Sequence, residues 1–163
     1  MNFTFRRAVI EDAKVIHGFL LSAADKGQLL ARPLHSIYTH IRDFIILIDE
    51  KGEACGCCAV SVTWEDLAEV RSLYVDERLR GKHLGLQMVE KCVELSRDLG
   101  VRRIFTLTYS VEFFRALGFT ETSKSLLPQK VWTDCLNCPK FPDCDEVAMI
   151  MELPPKPLVF EHL

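Results

Sequence analysis

The sequence of 163 residues predicts a single mixed α/β domain. Some segments carry apolar residues that alternate or run without interruption, as strands do, and others carry them three and four positions apart, as helices do. These segments follow one another in the order β-α-α-β-β-β-α-β-α-β, and no internal repeat divides them. We expect one domain over residues 1–153, with a Cys- and Pro-rich loop at 130–146 before its last strand, and a Pro-rich tail at 154–163.

The first part of the chain is predicted to hold one strand and two helices. Alternating apolar and polar residues predict the strand over Asn2–Ala8. Asp12 then lies in the first turn of a helix, where a carboxylate favours the positive end of the helix dipole, and Lys26-Gly27 ends that helix. The second helix follows Pro33, because apolar residues recur over Leu34–Ile41 with the spacing of one helical face.

Three strands are predicted in the centre of the chain. A continuous apolar run marks the first strand at Phe44–Ile48, and the turn residues Asp49-Glu50-Lys51-Gly52 follow it. The next strand, Ala54–Thr63, is therefore the antiparallel partner of the first in a hairpin. The third strand is Leu67–Val75.

The C-terminal half is predicted to begin with a long helix at about Leu84–Leu99, which Gly100 ends. A short strand at Ile104–Thr108, a short helix at Val111–Leu117 and a last strand at Ala148–Leu153 follow. The residues of the long helix that we expect to face the core are Val89, Cys92, Val93, Ser96 and Leu99.

Composition and charge exclude several classes of function. The net charge of −3 and the sequence pI of about 6.0 argue against nucleic acid as the main partner. The sequence has no apolar run near the roughly 18 residues that cross a membrane, and its N-terminus lacks the residue order of a signal peptide. We therefore expect a cytoplasmic protein that acts on a small molecule, with the question of a homodimer left open.

The segment that carries the clearest chemistry lies between the third central strand and the long helix. Backbone N–H groups at the start of a helix have no acceptor within the helix and point outward, so they bind phosphate well. Gly81 and Gly85 flank this helix start, and Arg80 and Lys82 add positive charge. Glycine spacing alone is also compatible with a solvated turn. The segment matches neither the dinucleotide fingerprint nor the P-loop, whose glycine, lysine and serine positions it lacks.

A family resemblance narrows this prediction. The pattern Arg80-x-x-His83-x-Gly85 resembles the Arg/Gln-x-x-Gly-x-Gly/Ala motif of the GNAT acetyltransferases, with histidine where the family usually has glycine. The segment Phe113–Phe119 resembles the aromatic-x-x-x-Gly-Phe segment of the same family. The resemblance implies the GNAT fold, a mixed and mostly antiparallel central sheet with helices on both faces, and acetyl-CoA as cosubstrate. The residues it implies for binding acetyl-CoA are Leu73, Tyr74, Val75, Arg80, Gly81, Lys82, His83, Leu84, Gly85, Leu86 and Phe114.

The resemblance also implies an N-acetyltransferase mechanism. Acetyl transfer to an amine requires a base for the ammonium and an acid for the departing thiolate. Glu69 could be an outward glutamate on a half-exposed strand, but it matches the strand glutamate that serves as base in several GNAT enzymes, and the resemblance favours that role, acting through water. Phe114 stands where many members have the tyrosine that acts as acid, and Tyr109, Ser110 or water could take its place.

Another segment suggests the acceptor. Gly27–Leu34 resembles the Gly-x-Leu-x-x-Arg-Ser segment of N-acetylglutamate synthase acetyltransferase domains, and the chain resembles their short stand-alone form. This implies transfer to L-glutamate, the first step of arginine biosynthesis. The candidates for binding its carboxylates are Arg32 first, Arg71 second and Lys130 third, and a surface charge is the alternative for each. Another amino acid or amine as acceptor, and a CoA-binding or metal-responsive module without catalysis, are the alternatives.

The cysteines form two groups. Seven is an odd number, and it favours reduced thiols over a disulfide framework. Cys135-x-x-Cys138-x5-Cys144 has a spacing compatible with zinc, but it lacks the second Cys-x-x-Cys of a strong zinc signature, so a metal site is the less favoured interpretation. The other four lie in apolar runs and are predicted to pack as small hydrophobic residues: Cys55, Cys57, Cys58 and Cys92.

Overall fold

The computed structural model describes residues 2–127 and 144–155, and in them a mixed sheet separates two groups of helices. The strands are β1 (Thr4–Arg7), β2 (Phe44–Ile48), β3 (Ala54–Trp64), β4 (Leu67–Val75), β5 (Arg103–Thr108), β6 (Thr120–Thr122) and β7 (Val147–Glu152). The α-helices are α1 (Ala13–Asp25), α2 (Leu34–Thr39), α3 (Leu84–Asp98) and α4 (Val111–Ala116). Short 3-10 turns lie at Ile10–Asp12, Ile41–Asp43, Glu77–Leu79 and Lys124–Leu126.

The sheet is mostly antiparallel, as predicted. Its strand order is β1-β2-β3-β4-β5-β7-β6, and the neighbours β1 to β4 are antiparallel. β4 and β5 are parallel, and β7 pairs antiparallel with both β5 and β6. β4 and β5 can pair in parallel because the long helix α3 connects the end of one to the start of the other.

The two central strands separate halfway along their length. Their pairing covers Leu67–Glu69 with Arg103–Phe105, and the Thr106 hydroxyl then donates a hydrogen bond to the Val70 carbonyl at 2.9 Å. Beyond this point Ser72 has a φ of 57°, a left-handed conformation that turns the β4 backbone out of the strand path. The separation opens the sheet between the C-terminal ends of β4 and β5.

Each face of the sheet has its own core. Strand β2 shows the alternation directly, since Ile45 and Leu47 pack with α3 while Phe44 and Ile46 pack with α1 and α2. Both faces of a strand are buried here, which explains why the sequence shows a continuous apolar run at β2. Helices therefore cover both faces of the sheet, in agreement with the prediction.

Most predicted elements are confirmed, with end points that differ by at most two residues. The strand β6 was not predicted, because a strand of three residues is too short to show a period. The expectation that Leu99 faces the core is wrong: α3 ends at Asp98, and the Leu99 side chain is 66% exposed. Of the other predicted core residues of α3, Val89, Cys92 and Ser96 are fully buried and Val93 is half-buried.

The apolar cysteines pack as predicted. Cys55, Cys57, Cys58 and Cys92 are buried free thiols. Burial raises the pKa of Cys57, so its thiol stays protonated and acts as a small apolar side chain. Among the described helices, none combines the length and the apolar character needed to cross a membrane.

Candidate active site

A cavity of about 620 Å³ occupies the opening between β4 and β5. The residues Val70–Val75 of β4 form one wall, and the loop from Leu79 to the first turn of α3 forms another. Polar and aromatic groups from other elements complete it, namely Gln28, Thr106, Thr108, Ser110, Phe113 and Glu146. The cavity is thus built where two neighbouring strands diverge, a position at which sheets that carry helices on both faces commonly bind ligands.

The loop between β4 and α3 has the geometry expected of a phosphate site. Asp76 accepts a hydrogen bond from the Arg78 amide, which begins the 3-10 turn. Gly81 has a φ of 82° and His83 a φ of 58°, so the chain passes through two left-handed residues before α3 begins at Leu84. After these turns the first residues of α3 line the cavity, at the positive end of a 15-residue helix whose first amides have no acceptor within the helix.

His83 adopts a conformation that glycine adopts more easily. A left-handed backbone costs an L-residue about 1 kcal/mol, and histidine is among the side chains that tolerate it best. The histidine amide occupies the place that a glycine amide would have, and His83 lines the cavity. Histidine in place of glycine at position 83 therefore adds backbone strain to the turn, but it still supplies a backbone amide at this position.

Gly85 keeps the surface of the first helical turn open. A Cβ built at this position would lie 3.5 Å from the Phe113 ring and 3.8 Å from a Val75 methyl group, which are ordinary van der Waals distances. The fold itself therefore has room for a methyl group at position 85. The absence of a side chain here leaves backbone exposed to the cavity.

Charged groups cluster around the loop. Glu77 forms an ion pair with Lys26 and lies 3.8 Å from the Arg80 guanidinium. The hydrogen bond from Lys26 lowers the pKa of Glu77. Arg80 lines the cavity with its side chain 63% exposed, whereas Lys82 lies beside a separate groove with Phe3. Among the predicted cosubstrate ligands in this loop, Lys82 is thus the one that the cavity does not include.

Glu69 is buried next to the cavity. Its side chain is 5% exposed, and its Oε1 atom lies 3.7 Å from Nη1 of Arg71. Arg71 lines the cavity and Glu69 does not. Both side chains lie on the same face of β4, because residues two apart in a strand point the same way. The carboxylate thus lies beside an arginine that lines the cavity and is not itself part of the lining.

Arg32 is held in the core on the same face. The residue is 6% exposed, and its guanidinium donates to the hydroxyls of Ser72 at 3.4 Å and Ser36 at 3.3 Å. Its charge also lies 5.1 Å from the centroid of the Phe44 ring. Ser72 lines the cavity, so Arg32 lies one side chain away from it.

The two predicted proton donors occupy different positions. Ser110 lines the cavity, and its amide donates to the Thr108 hydroxyl at 2.8 Å. The Tyr109 hydroxyl donates to Oδ1 of Asp145 at 2.7 Å, and Tyr109 is not one of the described lining residues. Phe114 lines the cavity with a buried ring.

Several lining residues were not predicted from the sequence. Thr106 and Thr108 are brought in by β5, and Phe113 by α4. Glu146 precedes β7 by one residue, in a segment without periodicity, so only the pairing of β7 with β5 brings it to the cavity. Alternation in β5 was the one signal that could have identified the two threonines.

Three predicted residues, Lys130, Cys135 and Cys138, lie outside the described residues. The described member of the cysteine group, Cys144, is half-buried, with its thiol 3.9 Å from Oε1 of Glu146. Within residues 2–127 and 144–155 no group of three or more potential metal ligands occurs.

The sequence matches known proteins over most of its length. A family model described as the acetyltransferase (GNAT) family matches residues 17–119. A protein of Chlorobaculum tepidum, named uncharacterized N-acetyltransferase CT2212, is 42% identical over 91% of this chain and 95% of its own length. The amino-acid acetyltransferase of Mycobacterium tuberculosis is 33% identical over 79% of this chain and 75% of its own length.

The fold matches a solved structure as well. Rv2747 of Mycobacterium tuberculosis, in complex with CoA and NLQ, superimposes with a TM-score of 0.78 at 28% identity. The match covers 92% of this chain and 99% of that one. The similarity of fold therefore extends over nearly the whole of both chains.

Proposed function

Since this chain belongs to the acetyltransferase (GNAT) family and is an acetyl-CoA-dependent N-acetyltransferase, we propose that it acetylates the α-amino group of L-glutamate. The observation that carries the proposal is the guanidinium of Arg71 in the lining of the cavity, with Arg32 one side chain further in at Ser72. A guanidinium group binds a carboxylate through two parallel hydrogen bonds, and glutamate offers two carboxylates. The amino-acid acetyltransferase of M. tuberculosis, which matches over most of this chain, supports an amino acid as acceptor.

We propose one orientation for acetyl-CoA in the cavity. The amides from Gly81 to Leu86 would bind its pyrophosphate, with Arg80 as counter-charge and Lys82 at the rim. The backbone of Leu73–Val75 lies beyond the part of β4 that pairs with β5. It would bind the pantetheine through main-chain hydrogen bonds. This arrangement brings the thioester to the point where β4 and β5 separate, with Phe114 and Phe113 as apolar contacts.

The reaction then needs one proton removed and one supplied. Glu69 would accept the proton of the acceptor ammonium through a water molecule, because its carboxylate is buried and is not part of the cavity lining. The free amine attacks the thioester carbonyl, the C–N bond forms, and the C–S bond breaks as the tetrahedral intermediate collapses. The CoA thiolate takes its proton from Ser110, which lines the cavity, or from Tyr109 beside it.

The carboxylates of the acceptor are assigned to the arginines. Arg71 lines the cavity with its side chain 28% exposed, which suits a group that binds a ligand from solvent. Arg32 is one side chain further in, so it would act together with the Ser72 hydroxyl. Lys130 stays a prediction from the sequence. Acetylation of L-glutamate would make the protein an enzyme of arginine biosynthesis, and cytoplasmic location, a single domain and a homodimer stay predictions alongside it.

A panel of acceptors tests the proposal directly. Purified protein is incubated with acetyl-CoA and each of the standard amino acids, a polyamine and a lysine peptide, and free CoA is measured with a thiol reagent. We expect L-glutamate to give the highest kcat/KM. A higher value for another amino acid would overturn the assignment of glutamate and leave the enzyme class intact.

A matched pair of variants tests the arginine assignment. Arg71→Gln should raise the KM for L-glutamate by about tenfold or more, as expected for the loss of a charge-assisted hydrogen bond, with the KM for acetyl-CoA unchanged. Arg97→Gln removes an equally partly exposed arginine on α3, outside the lining of the cavity, and serves as the control. Equal behaviour of the two variants would contradict a role of Arg71 in acceptor binding.

A further inference from the structure

Glu146 is the acidic residue among the described groups that line the cavity. It lies one residue before β7 and is half-buried. The positively charged lining groups are Arg71 of β4 and Arg80 in the phosphate loop. A carboxylate in a cavity that accepts an amine has an evident electrostatic partner, since the amine arrives as an ammonium ion.

The pairing of β7 with β5 brings Glu146 to the cavity that Arg71 lines. Ala148 packs in one apolar cluster with Leu67 of β4, so these two side chains lie on the same face of the sheet. Arg71 is four residues after Leu67 in β4, so it points to that face by the alternation of strand residues. Glu146 is two residues before Ala148 and one residue outside β7, and it lines the same cavity as Arg71. The acidic and the basic group therefore line one opening and come from separate segments of the chain.

Contacts on both sides fix the segment that carries Glu146. The Lys124 ammonium donates to the Cys144 carbonyl at 2.8 Å, and the Tyr109 hydroxyl donates to Asp145 at 2.7 Å. The Cys144 thiol lies 3.9 Å from Oε1 of Glu146. Residue 147 then enters β7 opposite Thr108. The carboxylate is thus presented from a segment that is anchored at residues 144, 145 and 147, which suits a binding group better than a mobile surface charge.

Glu69, the other carboxylate near the cavity, is not part of the cavity lining. Its carboxylate is 5% exposed and lies 3.7 Å from Arg71. An acceptor entering the cavity would therefore meet Glu146 before its proton can reach Glu69. The two carboxylates can divide the work, with one holding the ammonium and the other accepting its proton.

We propose that Glu146 binds the ammonium group of the acceptor and so selects an α-amino acid held between Glu146 and Arg71. This inference rests on the proposed function in that the acceptor is an amino acid, and it adds the residue that recognises its amine. Glu146 attracts the ammonium, and Arg71 attracts the α-carboxylate. An acid without an amino group would bind to Arg71 alone and would be repelled by Glu146.

Binding measurements on two matched ligands test this inference without turnover. L-Glutamate and L-2-hydroxyglutarate differ in the ammonium group, which a hydroxyl replaces. Each is titrated calorimetrically into the complex of the protein with CoA, for the wild type and for Glu146→Gln. We expect the wild type to bind glutamate at least about tenfold more tightly than the hydroxy acid, which corresponds to about 1.4 kcal/mol. In Glu146→Gln this preference should shrink to about twofold, with the affinity for the hydroxy acid unchanged or higher.

Two further variants separate recognition from folding. Glu146→Asp keeps the charge and should retain part of the preference, while Glu94→Gln removes an exposed carboxylate of α3 and should retain all of it. A wild type without preference for the amino acid, or an equal loss of affinity for both ligands in Glu146→Gln, would overturn the inference. The protein could also turn over another amino acid than glutamate while Glu146 still controls the preference for the amino acid over the hydroxy acid. This result would uphold the inference and would overturn glutamate as the substrate.

Discussion

A methyl group at position 85 should raise the stability of the fold and weaken its binding of acetyl-CoA. Gly85 is the second residue of α3, and a Cβ there would meet Phe113 and Val75 at 3.5 and 3.8 Å. Neither distance requires any atom to move. Gly85→Ala therefore changes the helix propensity and the surface that faces the cavity, with little change in packing.

The two effects have different magnitudes. Alanine in place of glycine stabilises a helix by about 0.5–1 kcal/mol, which raises the melting temperature of a domain of this size by about 1–4 °C. The same methyl group would stand between the helix amides and the pyrophosphate. The loss of one hydrogen bond to a charged group costs about 1.5–3 kcal/mol, so the KM for acetyl-CoA should rise by about tenfold to a hundredfold.

Gly18→Ala is the matched control. Gly18 lies inside α1, and a Cβ built there meets no atom within 4 Å. This variant should gain a similar amount of stability with no change in the KM for acetyl-CoA. Thermal unfolding and initial rates at saturating acceptor measure both quantities for the two proteins.

Two results would refute this reasoning. If Gly85→Ala kept the KM for acetyl-CoA within about twofold of the wild type, the pyrophosphate would not bind to these amides. If Gly85→Ala lost stability where Gly18→Ala gained it, the space beside Phe113 would be smaller than the structure shows.

Three more predictions concern the catalytic groups and the pH dependence of stability. Glu69→Gln should lower kcat by about 10²–10⁴-fold with the KM for acetyl-CoA unchanged; steady-state rates at saturating substrate measure this, and an unchanged kcat would remove Glu69 as the base. Ser110→Ala should lower kcat by at least about tenfold, and by more than Tyr109→Phe does; the opposite order, measured in the same assay, would assign the acid to Tyr109. The hydrogen bond from Arg6 lowers the pKa of Asp12 in the folded protein. The ionised Asp12 therefore stabilises the fold above the unfolded-state pKa of this carboxyl, and this stabilisation is lost as the pH falls through the folded-state pKa. Asp12→Asn should therefore be less stable than the wild type by about 1 kcal/mol at pH 7 and equally stable near pH 2; urea unfolding at both pH values tests this, and a gap that stays constant with pH would contradict it.

The fold could be predicted from the sequence where a local pattern determines it. The turn at residues 49–52 and the apolar run before it specify a hairpin without reference to the rest of the chain. The end of α3 could not be placed as well, because Leu99 continues the apolar pattern after the helix has ended at Asp98. A pattern of side chains indicates which face is apolar, whereas the last hydrogen bond of the helix decides where it ends.

The site, too, has a part that could be predicted from a local pattern and a part that could not. The phosphate loop is contiguous, so Arg80, Gly81, His83 and Gly85 could all be identified from their spacing, and each of them lines the cavity. The opposite wall is assembled by strand pairing over a long distance in sequence, and Glu146 joins it only because β7 pairs with β5. No spacing in the sequence could indicate that contact.

This division explains how the acceptor can differ between relatives that share the cosubstrate. The groups that would bind acetyl-CoA are backbone amides and carbonyls from Leu73 to Leu86, and substitution of side chains leaves most of them in place. The groups that would bind the acceptor are side chains of separate segments, since Arg71 comes from β4 and Glu146 from the residues before β7. A substitution at either position changes the charge that faces the acceptor and leaves the phosphate loop unaltered. The charge at position 146 is therefore expected to separate relatives that take amino acids from relatives that take acceptors of other charge.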